Sequence, residues 1–320
     1  MTEQPLLSIV IASYSVDMLK DILELLDSIG DQTYHHTESI LVIERSTELF
    51  DRIKQYAEEK AIPNLKVVFN HGETGLSTAR NLGVTEARGD IIAFVDDDAL
   101  LFPDWAEEMV KTYEDNSVIG VTGTAFPLWE DESMHWFPEE FYWIFSCTAW
   151  CDLKKLQEAR NVWGMSMSFR KEAFEQCGLF ATTFGLREGK GAVAEENELS
   201  MRVRRETGKR LIFNPQVRIR HRVYRHRLTW NFIVRRSYHI GRSRHLLKKL
   251  GSWDDKNTFS LEVENQLLKR IFSRLLPTIL KNSFKHPLIA WRKFSVTFVV
   301  LSSVALGYFL SLSVSVRNRL

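Results

Sequence analysis

The 320-residue chain is poor in cysteine and has no zinc-ligand pattern around the cysteines that it contains. Cys147, Cys151 and Cys177 are an odd number, and no histidine stands at ligand spacing beside them. We therefore expect reduced, buried thiols, which fits a protein that faces the cytosol. The polar N-terminal residues 1–5 run straight into an apolar segment, so we expect no secretory signal peptide. Internal repeats and low-complexity tracts are also missing.

Glycine-rich phosphate loops are missing from the places where nucleotide-binding folds carry them. The first predicted strand is followed by Ser13-Tyr14-Ser15-Val16, which argues against a nucleotidyltransferase that forms sugar nucleotides. A Gly-Lys pair within the glycine-rich segment 178–194 lacks the following Ser or Thr, and the preceding strand, of a P-loop. We interpret segment 178–194 as a flexible lid over a site.

Two long segments lack charges of one or both signs. Residues 202–249 contain many Arg and Lys but a single acid, Glu206, which suggests an anionic partner such as phosphate groups, a membrane surface or nucleic acid.

Residues 294–316 contain no charged side chain and are long enough to span a bilayer. We favour a membrane-spanning or deeply inserted helix there, with a packing helix in a dimer as the alternative. More cationic residues precede this segment than follow it, which predicts a cytoplasmic large domain.

Apolar strands alternate with helical segments along the first hundred residues. The predicted strands are Leu6–Ala12, Ser39–Ile43, Leu65–Phe69 and a strand from Ile91, and the helices between them are Val16–Ile29, a charged helix to Lys60, and Ser77–Ala87. This alternation predicts βαβ units and a parallel sheet. Further on, we predict strands at Val118–Thr124, Asn161–Phe169, Leu211–Phe213 and Val217–Arg220, and helices at Lys171–Cys177, 195–206, Leu228–Leu250 and Leu261–Lys281. The aromatic segment 126–150 is either core or a surface that faces lipid or stacks on sugars.

Three consecutive carboxylates follow the apolar strand that begins at Ile91. Asp96, Asp97 and Asp98 would lie at the carboxyl end of this strand, which is where open α/β sheets bind ligands. Three adjacent acids repel one another, and a divalent cation with oxygen ligands relieves that repulsion. The sequence therefore indicates a metal and phosphate site, and the alternative is a solvated acidic turn that caps the next helix.

Several short motifs form an ordered series that resembles the family 2 glycosyltransferases. The series comprises Ser13-Tyr14-Ser15, Gly75-Leu76-Ser77-Thr78-Ala79-Arg80-Asn81, Phe94-Val95-Asp96-Asp97-Asp98, Phe169-Arg170-Lys171, Gly178-Leu179-Phe180 and Glu195-Glu196-Asn197-Glu198-Leu199 with Arg202. The resemblance covers roughly residues 6–225 and implies the GT-A fold, a Rossmann-like, mostly parallel α/β sheet flanked by helices. The C-terminal third resembles the membrane-associating tails of members that act on polyprenyl-phosphate-linked sugars. The implied domains are a catalytic domain at 1–227, a basic and amphipathic helical extension at 228–293 and the hydrophobic helix at 294–316.

The resemblance also implies a role for individual residues. It implies that the nucleotide-sugar donor is bound by Ser13, Tyr14, Glu44, Arg80, Asp96 and Asp97. It also implies that a Mg²⁺ or Mn²⁺ ion is bound by Asp98, Asp96 and His221. Its catalytic base falls on Glu196, with Glu195 as the reserve candidate. The family usually has Asp where Glu44 stands and Pro-Thr-Tyr-Asn where this chain has Ala12-Ser13-Tyr14-Ser15, so the nucleobase stays open.

The implied reaction is an inverting, metal-dependent transfer of a sugar from a UDP- or GDP-sugar. The acceptor would be a hydroxyl of a glycan or of a polyprenyl-phosphate-linked sugar at the cell membrane, with the catalytic domain on the cytoplasmic side, and a hexose or glucuronate is the first candidate. Arg235, Arg236 and Arg242 lie at helical spacing and could meet a donor diphosphate, a lipid phosphate or anionic headgroups; the alternative is a solvated basic face. The competing functions are a basic nucleic-acid-binding protein and a non-catalytic membrane scaffold that keeps the fold. We expect no nucleic-acid partner, because such a protein would leave the acidic strand end and the apolar C-terminus without a role.

Overall fold

The computed structural model describes residues 4–148, 155–182, 195–251 and 262–317. Cys151 and most of the predicted lid lie outside these residues. The chain divides into two compact units, of which the first is Met1–Phe126 with Leu153–His221 and the second is Pro127–Asp152 with Arg222–Leu320. The domain limits predicted from the sequence stay a prediction.

The sheet of the first unit begins with parallel strands. These strands are β1 (Leu7–Ser13), β2 (Thr37–Ile43), β3 (Leu65–Phe69) and β4 (Ile91–Asp96). They are separated along the chain by the helices α1 (Leu19–Gly30), α2 (Thr47–Lys60) and α3 (Leu76–Glu86). β1 pairs with both β2 and β4, and β2 pairs with β3, so the spatial order is β3-β2-β1-β4. The parallel pairing predicted for this part of the chain is confirmed.

The remaining strands make the other half of the sheet antiparallel. They are β5 (Ala99–Leu101), β6 (Val118–Trp129), β7 (Gln157–Glu158), β8 (Ser166–Arg170) and β9 (Arg210–Val223). The intervening helices are α4 (Trp105–Thr112), α5 (Lys171–Cys177) and α6 (Glu195–Thr207). After β4 the order continues β8-β6-β9-β5, and β7 pairs with β9. The sheet is therefore mixed.

Alternate residues of the strands pack into separate cores on the two faces of the sheet. Ile9 and Ile11 of β1 face the side covered by α1, α2 and α4, where Trp105 is fully buried. Val10 of β1 and Phe94 of β4 face the side covered by α3, α5 and α6. Because both faces are covered, these strands consist of continuous apolar residues rather than alternating apolar and polar ones.

Two strand predictions were wrong. The strands predicted at Leu211–Phe213 and Val217–Arg220 are the single strand β9. It continues past Pro215 because the amide of Asn214 bonds the Gln216 N–H and the Thr112 hydroxyl, which holds the interrupted backbone in place. The strand predicted from Asn161 begins only at Ser166, since residues 161–165 form a loop that contacts β4.

The second unit is helical and has its own aromatic core. Its helices are α7 (Trp230–Gly251), α8 (Glu262–Arg270), α9 (Leu276–Asn282) and α10 (Pro287–Arg317). The helix predicted over Leu261–Lys281 is interrupted by a π-helical turn at Ile271–Leu275, just before Pro277, whose missing N–H prevents a continuous helix there. Phe137, Phe141 and Phe145 are buried in this core, so these aromatic residues of segment 126–150 are core.

Candidate active site

The acidic end of β4 and the histidine of β9 come together at one edge of the first unit. β5 pairs antiparallel with β9, with Ala99 opposite His221, and this register brings His221 beside the carboxylate just before β5. His221 Nε2 lies 3.0 Å from Asp98 Oδ1 and 3.6 Å from Asp96 Oδ2. One ligand atom from each of these residues lies within 4.8 Å of the others.

The donor set at this edge suits a divalent cation. Carboxylate oxygens with one imidazole nitrogen are ligands that Mn²⁺ accepts readily, and carboxylates also suit Mg²⁺. Asp98 and His221 are buried, and Asp96 is half-buried. Burial, followed by repulsion from Asp98, raises the pKa of the adjacent Asp97 to about 7, and a bound cation would reduce that repulsion. The residues present therefore fit the metal that the sequence predicted.

Arg80 connects this metal-ligand group to the second acidic motif. It lies on α3 and is 4% exposed. Its Nη1 is 3.3 Å from Glu195 Oε1, and its Nη2 is 3.3 Å from Asp96 Oδ1 and 3.1 Å from the Gly164 carbonyl oxygen. The guanidinium also lies over the Phe180 ring at 5.8 Å. Other protein groups thus contact the Arg80 guanidinium on several sides. The direct contact predicted between Arg80 and the donor stays a prediction.

The two glutamates at the start of α6 lie in different environments. Glu195 is 2% exposed and pairs with Arg80, whereas Glu196 is half-buried. The Ser200 hydroxyl donates to the Glu196 carbonyl oxygen at 2.6 Å and accepts from the Val162 N–H at 3.2 Å. The helix is therefore fixed against the loop 161–165 one turn beyond Glu196.

A second set of hydrogen bonds fixes the same helix from the other side. Arg202 pairs with Glu198 and donates to the carbonyl oxygens of Cys177 and Leu179. Asn81 of α3, next to Arg80, makes two hydrogen bonds of 2.9 Å with the backbone of Phe180. Residues 177–180, at the end of α5 and just after it, therefore connect the motif on α3 with the second acidic motif on α6.

The residues predicted to contact the nucleotide lie at the ends of β1 and β2. Ser13 is buried, and Tyr14 is 59% exposed with the Arg45 guanidinium 5.8 Å from its ring centre. The buried Glu44 accepts a hydrogen bond from the Gly75 N–H at 2.8 Å, which ties the end of β2 to the start of α3. Tyr14 has the exposure that a ligand contact requires, and Glu44 also has a structural role.

Arg235 and Arg236 lie on α7, in the second unit. Arg235 is exposed, and Arg236 Nη2 donates to the Ser146 hydroxyl at 3.3 Å. Burial, followed by the charges of Arg242, Arg235 and Arg236, lowers the pKa of the nearby His239. Their predicted role in phosphate binding stays a prediction.

The loop 161–165 was not predicted to be part of the site. Its Gly164 carbonyl accepts from Arg80, and its Met165 carbonyl accepts from the Asp96 N–H at 3.4 Å. A Cβ at Gly164 would lie 3.3 Å from Arg80 Nη2, so the absence of a side chain lets the guanidinium approach. The Trp-Gly pair just before β8 was the available signal, because glycine within an apolar run often marks a close approach.

Solved structures share this fold. The chain superposes on the mannosyltransferase PcManGT from Pyrobaculum calidifontis, solved with GDP-Man and Mn²⁺, with a TM-score of 0.63 and 19% identity over 96% of this chain and 88% of that one. GalNAc-T7, solved with UDP, GalNAc and Mn²⁺, gives a TM-score of 0.54 and 14% identity over 88% of this chain and 58% of that one. The fold is that of the GT-A glycosyltransferases, as predicted.

The sequence relationships narrow this class. The pattern of Glycosyl transferase family 2 matches residues 8–178. The chain is also 31% identical over 305 residues to the glucosyl-dolichyl phosphate glucuronosyltransferase of Haloferax volcanii, which covers 94% of each protein. The chain belongs to glycosyltransferase family 2 and is a glycosyltransferase.

Proposed function

We propose that this enzyme transfers a sugar from a nucleotide-sugar donor to a hydroxyl of a polyprenyl-phosphate-linked glycan, in a metal-dependent reaction that inverts the anomeric centre. Glucuronate is the first candidate for the sugar, because the relative that matches along 94% of its length is a glucuronosyltransferase that acts on a glucosyl-dolichyl phosphate. The observation that carries the proposal is the convergence of Asp96, Asp98 and His221 at one edge of the sheet.

These three residues would hold a Mn²⁺ or Mg²⁺ ion. When bound, such an ion acts as a Lewis acid and neutralises the negative charge that develops on a departing nucleoside diphosphate. Asp98 and His221 are buried, so their electrostatic interactions with an ion are screened less than they would be in water. This arrangement supports an assignment of the donor's phosphate groups to the β4 edge.

Glu196 is the proposed general base. An acceptor hydroxyl is a weak nucleophile, and a carboxylate that takes its proton during attack makes it a stronger one. Glu196 is half-buried, while its neighbour Glu195 is engaged by Arg80. Attack on the anomeric carbon from the face opposite the leaving group forms the new glycosidic bond, breaks the bond to the diphosphate and inverts the configuration.

We also propose that the enzyme works at the cell membrane, with its catalytic domain on the cytoplasmic side. A polyprenyl-linked acceptor is confined to the bilayer, and Pro287–Ser311 within α10 is the stretch, among the described residues, that is long and apolar enough to cross one. That finding concerns length and composition only, and the cytoplasmic side is proposed because Cys147 and Cys177 are buried free thiols.

The donor is identified by thermal stabilisation. A ligand that binds only the folded state raises the melting temperature, so a panel of UDP- and GDP-sugars is screened with Mn²⁺ and with EDTA. We expect at least one nucleotide sugar to raise the melting temperature with Mn²⁺ but not with EDTA. The same nucleotide sugar should then be consumed when a polyprenyl-phosphate-linked acceptor is added. If no nucleotide sugar of the panel raised the melting temperature in a metal-dependent way, the proposal would be contradicted.

A further inference from the structure

The C-terminal part of the chain combines many basic residues with a complete lack of acidic ones. After Glu264 the sequence contains no Asp or Glu. The basic residues in the same stretch are Lys269, Arg270, Arg274, Lys281, Lys285, Arg292, Lys293, Arg317 and Arg319. Arg270 is paired with Glu139 and Glu140, and the charge composition of the rest of the stretch favours an anionic partner.

The outward side of α10 presents large apolar side chains. They recur at helical spacing along the exposed side of the helix, at Trp291, Phe294, Phe298, Leu306, Phe309 and Leu310, and we call this set the apolar ridge. The opposite side of α10 is buried and carries smaller residues, such as Val296, Thr297 and Ser303. Exposed contiguous apolar surface of this kind marks a binding surface.

Further exposed apolar residues precede the ridge along the chain, in the α9–α10 connection and in the first turn of α10. Phe284 is 94% exposed and Leu288 is 78% exposed, and the basic residues Lys281 and Lys285 stand beside them in the sequence. Exposed apolar and basic side chains in alternation are typical of segments that insert at the boundary between headgroups and acyl chains. The lipid surface that they fit is an anionic one.

Two glycines fix the level of α7 along α10. A Cβ at Gly241 would lie 2.1 Å from the Val304 carbonyl oxygen, and a Cβ at Gly307 would lie 2.1 Å from the Tyr238 carbonyl oxygen. The two backbones therefore touch at this crossing. Because the charge-free segment runs over residues 294–316, the crossing lies at its middle.

The residues that α7 places around this crossing are strongly polar. Arg242 directly follows Gly241 and is exposed, and Arg235 lies less than two turns earlier on the same helix. Arg244 Nε lies 3.2 Å from Glu264 Oε1. If α10 crossed a bilayer from end to end, it would carry these groups to the hydrocarbon centre, where charged side chains are costly.

We propose that α10 does not span the membrane but lies in the plane of an anionic leaflet. The apolar ridge inserts at the boundary between headgroups and acyl chains, the basic residues of the α9–α10 connection meet lipid phosphates, and α7 lies on the aqueous side of α10. This orientation buries the ridge and keeps the arginines of α7 hydrated. It is independent of the sugar and the acceptor that the enzyme uses.

The test measures the depth of single labels along α10 in the full-length chain. The natural cysteines are replaced by alanine, and Phe294→Cys, Ser302→Cys or Leu310→Cys carries a fluorophore whose quenching by lipids brominated at different depths is measured. The vesicles contain phosphatidylcholine with phosphatidylglycerol. Successive labels are about 12 Å apart along the helix axis, at 1.5 Å per residue. An in-plane helix keeps all three labels shallow, within about 10 Å of the headgroups, and position 302, at the middle of the exposed side, is somewhat deeper than positions 294 and 310.

Two results would overturn the proposal. A label at position 302 near the bilayer centre, with shallow labels at 294 and 310, would show a spanning helix. Labels that lipid does not quench, on a chain that sediments as a dimer, would show that a second copy covers the ridge instead. Thermal unfolding of the cysteine-free chain establishes beforehand that it is folded.

Substitutions provide a second, independent readout. The double variant Phe298→Glu with Phe309→Glu should partition onto these vesicles at least about tenfold less than the wild type. The reason is that two large apolar side chains are no longer transferred from water into the membrane. The matched control is Leu156→Glu, at an exposed apolar residue of the first unit, and it should leave partitioning unchanged. Equal loss for both variants would contradict a specific role of the ridge. Since no nucleotide sugar enters the assay, failure here leaves the proposed transfer reaction untouched.

Discussion

Arg80 and Glu195 form an ion pair inside the first unit, with Arg80 Nη1 3.3 Å from Glu195 Oε1. The second terminal nitrogen of the same guanidinium is 3.3 Å from Asp96 Oδ1. One planar side chain thus connects the acidic end of β4 with the first residue of α6. Only arginine offers two donor nitrogens in this fixed geometry. We infer that Arg80 is a positioning residue, which holds a metal ligand and the start of the helix that bears the proposed base.

The first prediction concerns the loss of this connection. Arg80→Met should destabilise the fold by about 3–5 kcal/mol, because Glu195 would be left buried without its cationic partner. Urea unfolding measures the change. The double variant Arg80→Met with Glu195→Gln removes both charges and should recover part of the lost free energy of unfolding, and a purely additive result would contradict the coupling.

Arg80→Lys separates positioning from simple charge. Lysine keeps the charge but cannot reach two carboxylates with a rigid fork, so we expect a folded enzyme with a lower kcat. A structural role in stability alone would instead leave kcat unchanged in the variant that still folds. The comparison of kcat with KM for the donor therefore distinguishes the two roles.

The second prediction distinguishes the two neighbouring glutamates. Glu196→Gln should keep donor affinity and lose about a hundred- to ten-thousand-fold in transfer rate, as expected when a general base is removed. Single-turnover rates and donor affinity are measured on the same preparation. Near-normal turnover in this variant would remove Glu196 from the mechanism.

Glu195→Gln is the matched comparison. Glu195 is buried against Arg80, so its replacement should lower the free energy of unfolding as well as the rate. If Glu195→Gln alone lost transfer while remaining as stable as the wild type, the base would be Glu195 and the assignment to Glu196 would be wrong.

The third prediction concerns stability at acidic pH. The buried Glu38 accepts hydrogen bonds from the Ser8 hydroxyl at 2.6 Å, from the Arg88 N–H at 2.7 Å and from Arg88 Nε at 2.8 Å. Burial alone would raise the pKa of Glu38, but the hydrogen bonds from Ser8 and Arg88 outweigh it, and the pKa lies below its ordinary value of 4.5. The resulting stabilisation is complete above that ordinary value and is lost as the pH falls through the lower folded-state pKa.

Glu38→Gln should therefore destabilise the protein at neutral pH by about 1–3 kcal/mol. The difference from the wild type should shrink as the pH is lowered below about 4, because the wild-type carboxylate is then protonated in both states. Urea unfolding at several pH values measures it, with Glu58→Gln at an exposed position of α2 as the control. A difference that does not change with pH would contradict the assignment.

Much of the first unit could be predicted from local patterns. β3 has the predicted limits, and β1, β2 and α2 end within one residue of them, because their apolar runs are bounded by polar or glycine residues. The acidic group at the end of β4 was also predictable, since its three carboxylates follow directly on a buried apolar strand. The contact of Asp98 with His221 could be expected only through the family resemblance, because the two residues are 123 positions apart in the chain.

Other features depend on contacts that no local pattern encodes. β9 continues past Pro215 because the Asn214 side chain bonds its neighbours, and a proline in a sequence normally predicts a break. The position of Arg80 between Asp96 and Glu195 requires three elements to meet. The crossing at Gly241 and Gly307 likewise reflects the packing of two helices, and neither glycine stands out in its own segment.

The fourth and most direct measurement is calorimetric titration of the protein with the donor found in the screen, with Mn²⁺ and with EDTA. If Asp96, Asp98 and His221 hold the ion that the diphosphate needs, the affinity of the wild type for the donor should be at least about tenfold higher with Mn²⁺ than with EDTA. Asp98→Asn should bind weakly under both conditions, whereas the exposed control Asp51→Asn should behave as the wild type. Full metal-dependent binding by Asp98→Asn would contradict the assignment of the metal, and with it the proposed site.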